Sequence, residues 1–282
     1  YLYGGAGDDS LDGGEGDDVL EDNDGANTML GGEGNDNLFG FSGSNTMDGG
    51  SGDDYLYGET NNDVQGGEGD DTLEGSLGNT MDGGEGNDNL YGSESNTLIG
   101  GEGDDTLYGE TNNDMQGGDG QDILEGYQYN TMDGGEGNDN LYGSESNTLA
   151  GGEGDDTLSG DSFNMLQGGE GDDALYGFGD NEMYGDGGND TLESGDGGNL
   201  LDGGEGDDSL VGGSGSDTLY GQAGSDLLDG GDGDDYLDDS NGSDTFMGGS
   251  GNDTLYGGDA GSMDGGEGDD MLIGMGGNSM QG

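Results

Sequence analysis

The 282-residue sequence contains no Lys, Arg, His, Cys, Pro or Trp. Without Cys there are no disulfides, and cysteine usage says nothing about redox compartment. Without His or Cys, zinc sites, haem–His ligation and Cys nucleophiles are excluded. Without Lys or Arg, a direct electrostatic grip on nucleic-acid phosphates is excluded, so no nucleic-acid partner is expected. No apolar run reaches 18 residues, and no membrane insertion is expected. No initiator Met and no signal peptide stand at Tyr1, so the sequence reads as a piece of something longer. Carboxylates abound, but no pair is singled out and no basic or thiol group exists to share acid–base work, so no enzyme is expected.

What is present is glycine and acid: 77 Gly and 68 Asp plus Glu, with a formal net charge of -68. Low hydrophobicity with such charge ordinarily means disorder. Here the apolar residues recur every eight or nine positions, and a fixed period marks a repeat architecture. A compact fold at this charge requires neutralisation. The chain has no basic side chain to provide it, and a hard divalent cation suits carboxylate and carbonyl oxygens.

The organising stretch is 83–133, which alternates nine-residue units such as GGEGNDNLY with eight-residue units such as GSESNTLI. From Gly4 onward the sequence divides without a gap into 22 units of nine and 10 of eight. Each unit pairs a Gly-rich turn with a three-residue strand x-L-x. Glycine suits turn positions that need positive φ or close backbone approach. In the strand, Leu points inward and its neighbours outward. Two successive units make one coil with two strands. The predicted fold is therefore all-β, a parallel β-solenoid of about 16 two-strand coils of 17–18 residues, read as a single domain over 1–282. At ~4.8 Å per coil it would be a rod of roughly 75–80 Å. No coil is stable alone, because its burial comes from its neighbours.

The sixth position of the nine-residue unit defines two edges. One carries Asp18, Asp36, Asp54, Asp71, Asp88, Asp105, Asp122, Asp139, Asp156, Asp173, Asp190, Asp208, Asp226 and Asp244. The other carries Asn from Asn27 to Asn199, and over 58–184 its units are one residue short, giving 17-residue coils. Its inward residue drifts to Met, as at Met29, Met47, Met81, Met115, Met132 and Met183, and Met fills irregular gaps. Over 203–256 every unit has the Asp, so Asp217, Asp235 and Asp253 lie on the second edge, with Asp270 continuing them by parity.

The repeated G-G-x-G-x-D-x-L-x, present over the whole chain, resembles the nonapeptide of the RTX family of secreted calcium-binding proteins. The resemblance implies a parallel β-roll in which Ca²⁺ lies between same-edge turns of successive coils. Its ligands would be the sixth-position Asp and backbone carbonyls of the Gly-rich turns. Carried over residue by residue, the ligands are the 14 Asp of the first edge and Asp217, Asp235, Asp253 and Asp270 of the second, giving about 16 interior sites. The Asn edge departs from the pattern, and no calcium is expected there. Its Asn side chains are expected to hydrogen-bond along the stack instead. The fifth-position acids, such as Asp70, Asp104 and Asp155, read as turn residues or as second ligands. Tyr57, Tyr91, Tyr108, Tyr142, Tyr176, Tyr220 and Tyr256 should face outward.

Three functions remain. The first is a calcium-stabilised extracellular shaft of a fibre, filament, surface layer or adhesin, self-associating end to end or laterally. The second is a calcium-triggered folding and export module of a larger secreted enzyme or toxin. The third is a glycan- or ice-binding solenoid, for which the Thr positions are interrupted by Asp63, Asp114, Met165 and Glu182. All three place the chain outside the cell or on its surface.

Overall fold

The structure, a computed structural model, describes residues 1–258 and 261–282. The described residues form β-strands and turns, with no helix. None is therefore a helix long and apolar enough to cross a membrane. The fold is an all-β parallel solenoid of about 16 turns. Two compact units are distinguished, Tyr1–Asn140 and Leu141–Gly282.

In the first unit the chain alternates between two parallel sheets. Thr72–Leu77 pairs with Tyr55–Thr60 before it and Asn89–Glu94 after it. The intervening Thr80–Glu85 pairs instead with Asp63–Glu68 and Thr97–Glu102 in the other sheet. Register is one coil per step, so like stacks on like: Leu73 lies beside Leu90, and Leu90 beside Leu107. Side chains alternate across the pleat. Leu56, Leu73, Leu90 and Leu107 from one sheet meet Val64, Met81, Leu98 and Met115 from the other, all fully buried.

The second unit repeats the plan. Leu158, Leu175, Leu192, Leu210 and Leu228 face Leu149, Leu166, Met183, Leu201 and Leu219. Its strands pair in the same one-coil register, as in Thr157–Ser162 with Ala174–Gly177 and Leu227–Asp232 with Thr245–Ser250.

The strands are longer than the three residues expected. Most run six residues, as in Thr80–Glu85 and Thr97–Glu102, and take in the Gly-Gly pair. With identical coils in register, main-chain pairing continues through Gly84 and Gly101, and the turn proper shrinks to a few residues. The tyrosines that follow the inward Leu do face outward. Tyr91, Tyr108 and Tyr142 are exposed, and Tyr236 makes ring contacts with Tyr220 and Tyr256.

One buried aliphatic side chain per eight or nine residues, about 1.5–3 kcal/mol each, is little against the ordering cost of Gly-rich turns. The turns themselves have to supply cohesion.

Candidate metal centre

Each nine-residue turn uses its glycines for two purposes. The second and fourth have positive φ, as at Gly84 (116°) and Gly86 (133°). They also stack on the preceding turn so closely that a Cβ on Gly84 would strike the Gly67 carbonyl. The first glycine, Gly83, has no such backbone constraint. A Cβ there would instead run into Asp88 Oδ2 and the carbonyl oxygen of Gly100, one coil on. The missing side chain leaves a cradle lined by a carboxylate oxygen and a carbonyl oxygen. The same pair of oxygens faces Gly31, Gly49, Gly66, Gly100 and Gly117 in the first unit and Gly168 and Gly185 in the second.

The sixth-position Asp residues form a ladder. In the first unit the N–H groups of Asp18, Asp36, Asp54, Asp71, Asp88, Asp105 and Asp122 each donate to Oδ1 of the next Asp, ending at Asp139, over 2.6–2.8 Å. In the second unit the ladder runs from Asp156 through Asp173, Asp190, Asp208 and Asp226 to Asp244. On the opposite edge of that unit Asp217, Asp235, Asp253 and Asp270 are joined likewise, so Asp270 does fall in their line.

From Asp36 on, the Oδ1 atoms that accept in this ladder thus have their donor. The second oxygen does not: Oδ2 of Asp36, Asp54, Asp71, Asp88, Asp105 and Asp122, and of Asp173, Asp190, Asp208, Asp217, Asp235 and Asp253, is buried with no hydrogen-bond partner. Burial is the main cause that pushes Asp71, Asp105 and Asp190 up to about 7, and Asp54, Asp88, Asp122, Asp173, Asp208 and Asp235 up to about 6. The ladder N–H opposes the shift and the neighbouring carboxylates add to it. A buried anion of this kind needs a proton or a cation.

The Asn edge supplies the internal contrast. The N–H groups of Asn27, Asn45, Asn62, Asn79 and Asn96 donate to the next Asn Oδ1 in the same way. Here the other side-chain atom is a donor. Nδ2 of these residues bonds the next Asn Oδ1 at 2.9–3.1 Å. Asn79, Asn96 and Asn113 Nδ2 also reach the Gly58, Gly75 and Gly92 carbonyls. The space beside Gly75 and Gly109 is further filled by the sulfurs of Met81 and Met115, and beside Gly92 by the Leu98 side chain. The eight-residue turn closes on one left-handed residue, such as Asn61, Ser95, Asn112 or Phe163.

The fifth-position residues form a ladder of their own. Asn87 N–H donates to Asp70 Oδ1, Asp104 N–H to Asn87 Oδ1, and Gln121 N–H to Asp104 Oδ1. This exposed ladder runs opposite to the inner one, each N–H reaching back to the preceding coil. Two residues escape the sixth-position pattern altogether. Asp22 and Asp239 replace the first Gly of their turns and are buried at 0 and 2% exposure. Burial, reinforced by Asp226, pushes the Asp239 carboxyl up.

The Asp cradles fit a hard cation: they are lined by oxygen alone, they are anionic, and they carry orphaned buried atoms. The family model of the RTX calcium-binding nonapeptide repeat matches the chain over 1–237, 238–260 and 262–280. The chain belongs to that family. Comparison with curated proteins gives no match. RTX repeats are calcium-binding, and the oxygen-lined cradles suit that ion. A bound ion would supply positive charge between coils. The chain's part would be to hold Oδ2 and the Gly carbonyls in register between successive coils.

Proposed function

We propose that this RTX solenoid is a structural element, the calcium-stabilised shaft of an extracellular fibre, surface layer or adhesin, with the sixth-position Asp residues as its ligands. About sixteen ions is the expected load. Extracellular modules hold calcium at ~0.1–1 mM, well above cytosolic levels, so the shaft would consolidate only outside. No catalytic step is part of this reading.

The observation that carries it is the division of labour between edges. In the first unit, from Asn62 to Asn113, one edge is closed by Asn–Asn hydrogen bonds that need no ion, while on the other the Asp Oδ2 atoms find no donor. A module whose sole task was to fold on meeting calcium would gain nothing from a long ion-independent edge. A shaft gains permanent cohesion from it.

Electron microscopy of the native material, with calcium and after chelation, tests this. Long fibres with a ~4.8 Å axial repeat that fray on chelation are the expected result. Short, unassociated particles in calcium would overturn the filament reading and favour a folding and export module of a larger secreted protein.

A further inference from the structure

Among the described residues, three carboxylates come within 4.8 Å of one another at one place: Asp226, Asp239 and Asp244. All three are 2% exposed. Asp226 and Asp244 are successive members of the sixth-position ladder, joined by the Asp226 N–H to Asp244 Oδ1 bond at 3.3 Å, the longest in that ladder. Asp239 is the addition. It stands where the turn motif has its first Gly, in Asp-Ser-Asn-Gly-Ser-Asp over 239–244.

Its two oxygens are used differently. Oδ1 accepts the N–H of Asn241, two residues on, at 2.9 Å, a local Asx turn that fixes the carboxylate. Oδ2 has no partner, and neither has Oδ2 of Asp226. Both converge on the face of Gly221 where a Cβ would sit. The ordinary cradle holds one carboxylate oxygen and one carbonyl there. This one holds two carboxylate oxygens, with a third carboxylate alongside. The chain has no Lys, Arg or His to serve as counter-ion.

We propose that Asp226, Asp239 and Asp244 form a distinct three-carboxylate calcium site, which fills at lower free calcium than any other turn in the chain. Ligand charge count is the main lever by which oxygen sites tune calcium affinity over decades, and this site has one more buried charge than its neighbours. Asp22 is the informative counterpart. It also replaces a first Gly, anchors Oδ1 on the N–H of Asp24 and aims an unpartnered Oδ2 at Gly4, but the sixth residue of its turn is Asn27. It lacks the third carboxylate, and its turn is not expected to lead.

The inference rests on calcium loading of the turns but not on the fibre role. Isothermal titration of the full, chelator-stripped chain with Ca²⁺, repeated with Tb³⁺, tests it in wild type, Asp239→Gly, Asp239→Asn and Asp22→Gly. Gly is the residue of the ordinary turn, and Asn keeps the shape without the charge, so a folding failure in one variant leaves the other to read. The expected result is a one-ion step preceding the main uptake. That step is absent in Asp239→Gly, weakened roughly tenfold or more in Asp239→Asn, and intact in Asp22→Gly. Superimposable isotherms for wild type and both Asp239 variants would overturn the proposal and leave a proton shared by Asp226 and Asp239, with the calcium shaft untouched. Loss of the step in Asp22→Gly would also overturn it, by assigning the step elsewhere. No uptake by wild type would remove both readings.

Discussion

The main-chain N–H of Asp105 donates to Oδ1 of Asp122, one coil along, at 2.7 Å, while Oδ2 of Asp122 is buried without a donor. At Asn96 and Asn113 the same main-chain bond is 2.8 Å, and the corresponding side-chain atom is an NH₂ that finds acceptors. One atom, oxygen or nitrogen, decides whether a turn closes by itself.

Exchanging that atom should transfer the behaviour. Asp105→Asn is expected to lower calcium stoichiometry while raising stability in chelator. Asn113→Asp buries a charge with no cradle behind it and should destabilise the fold by about 3–5 kcal/mol without adding an ion. Calcium titration and denaturant unfolding of both variants measure this. Equal ion loss from both would sink the two-edge account.

Acid should stand in for calcium. Folded-state values of about 6 to 7 for Asp71, Asp88, Asp105 and Asp122 lie above the ~3.9 of an unfolded Asp. Between those values the folded chain holds protons that the unfolded chain has released. Stability of the chelated protein therefore falls as pH rises from about 4 to about 7, and is fully recovered below that window. Circular dichroism of chelated protein across this range should gain β signal on acidification. A flat profile would contradict it.

Two neighbouring glycines should fail in different ways. Gly83→Ala puts a methyl into the oxygen cradle at a backbone conformation Ala tolerates, so ion uptake should suffer most. Gly84→Ala meets φ of 116° and the Gly67 carbonyl. It should destabilise the coil by about 1–3 kcal/mol or more, with or without calcium. Comparing melting temperatures in calcium and in chelator separates the two.

Chelation at neutral pH and low salt should expand the chain, because a net charge of -68 is then opposed by nothing in the sequence. Raising monovalent salt should reduce the expansion by screening but not restore the native β signal, since screening does not fill a cradle. Small-angle scattering with circular dichroism reads both. A compact radius in chelator at low salt would refute this.

The solenoid, the inward Leu column and the membership of both edges were legible because an eight- or nine-residue period fixes all three together. Asp270 follows Asp253 by parity, and the bond between them confirms the register. Strand length was not legible, since Gly-Gly reads locally as turn, and only stacking on identical neighbours draws Gly84 and Gly101 into the sheet. The outer ladder through Asp70, Asn87 and Asp104 was hidden because its acceptors serve the next coil rather than their own turn. Asp239 did carry a signal, an acid where the motif has Gly, but its meaning depends on Asp226, one coil earlier in the chain.

The unlike edges have a mechanical consequence. Within a stretch such as 58–140, one long side is joined by bonds indifferent to solution conditions, and the other by joints that repel when emptied. Such a stack behaves like a bimetallic strip. Partial withdrawal of cation, short of the loss that unfolds the chain, would lengthen one side only and curl it toward the asparagines, whereas a stretch such as 203–256, ion-dependent on both sides, would only swell.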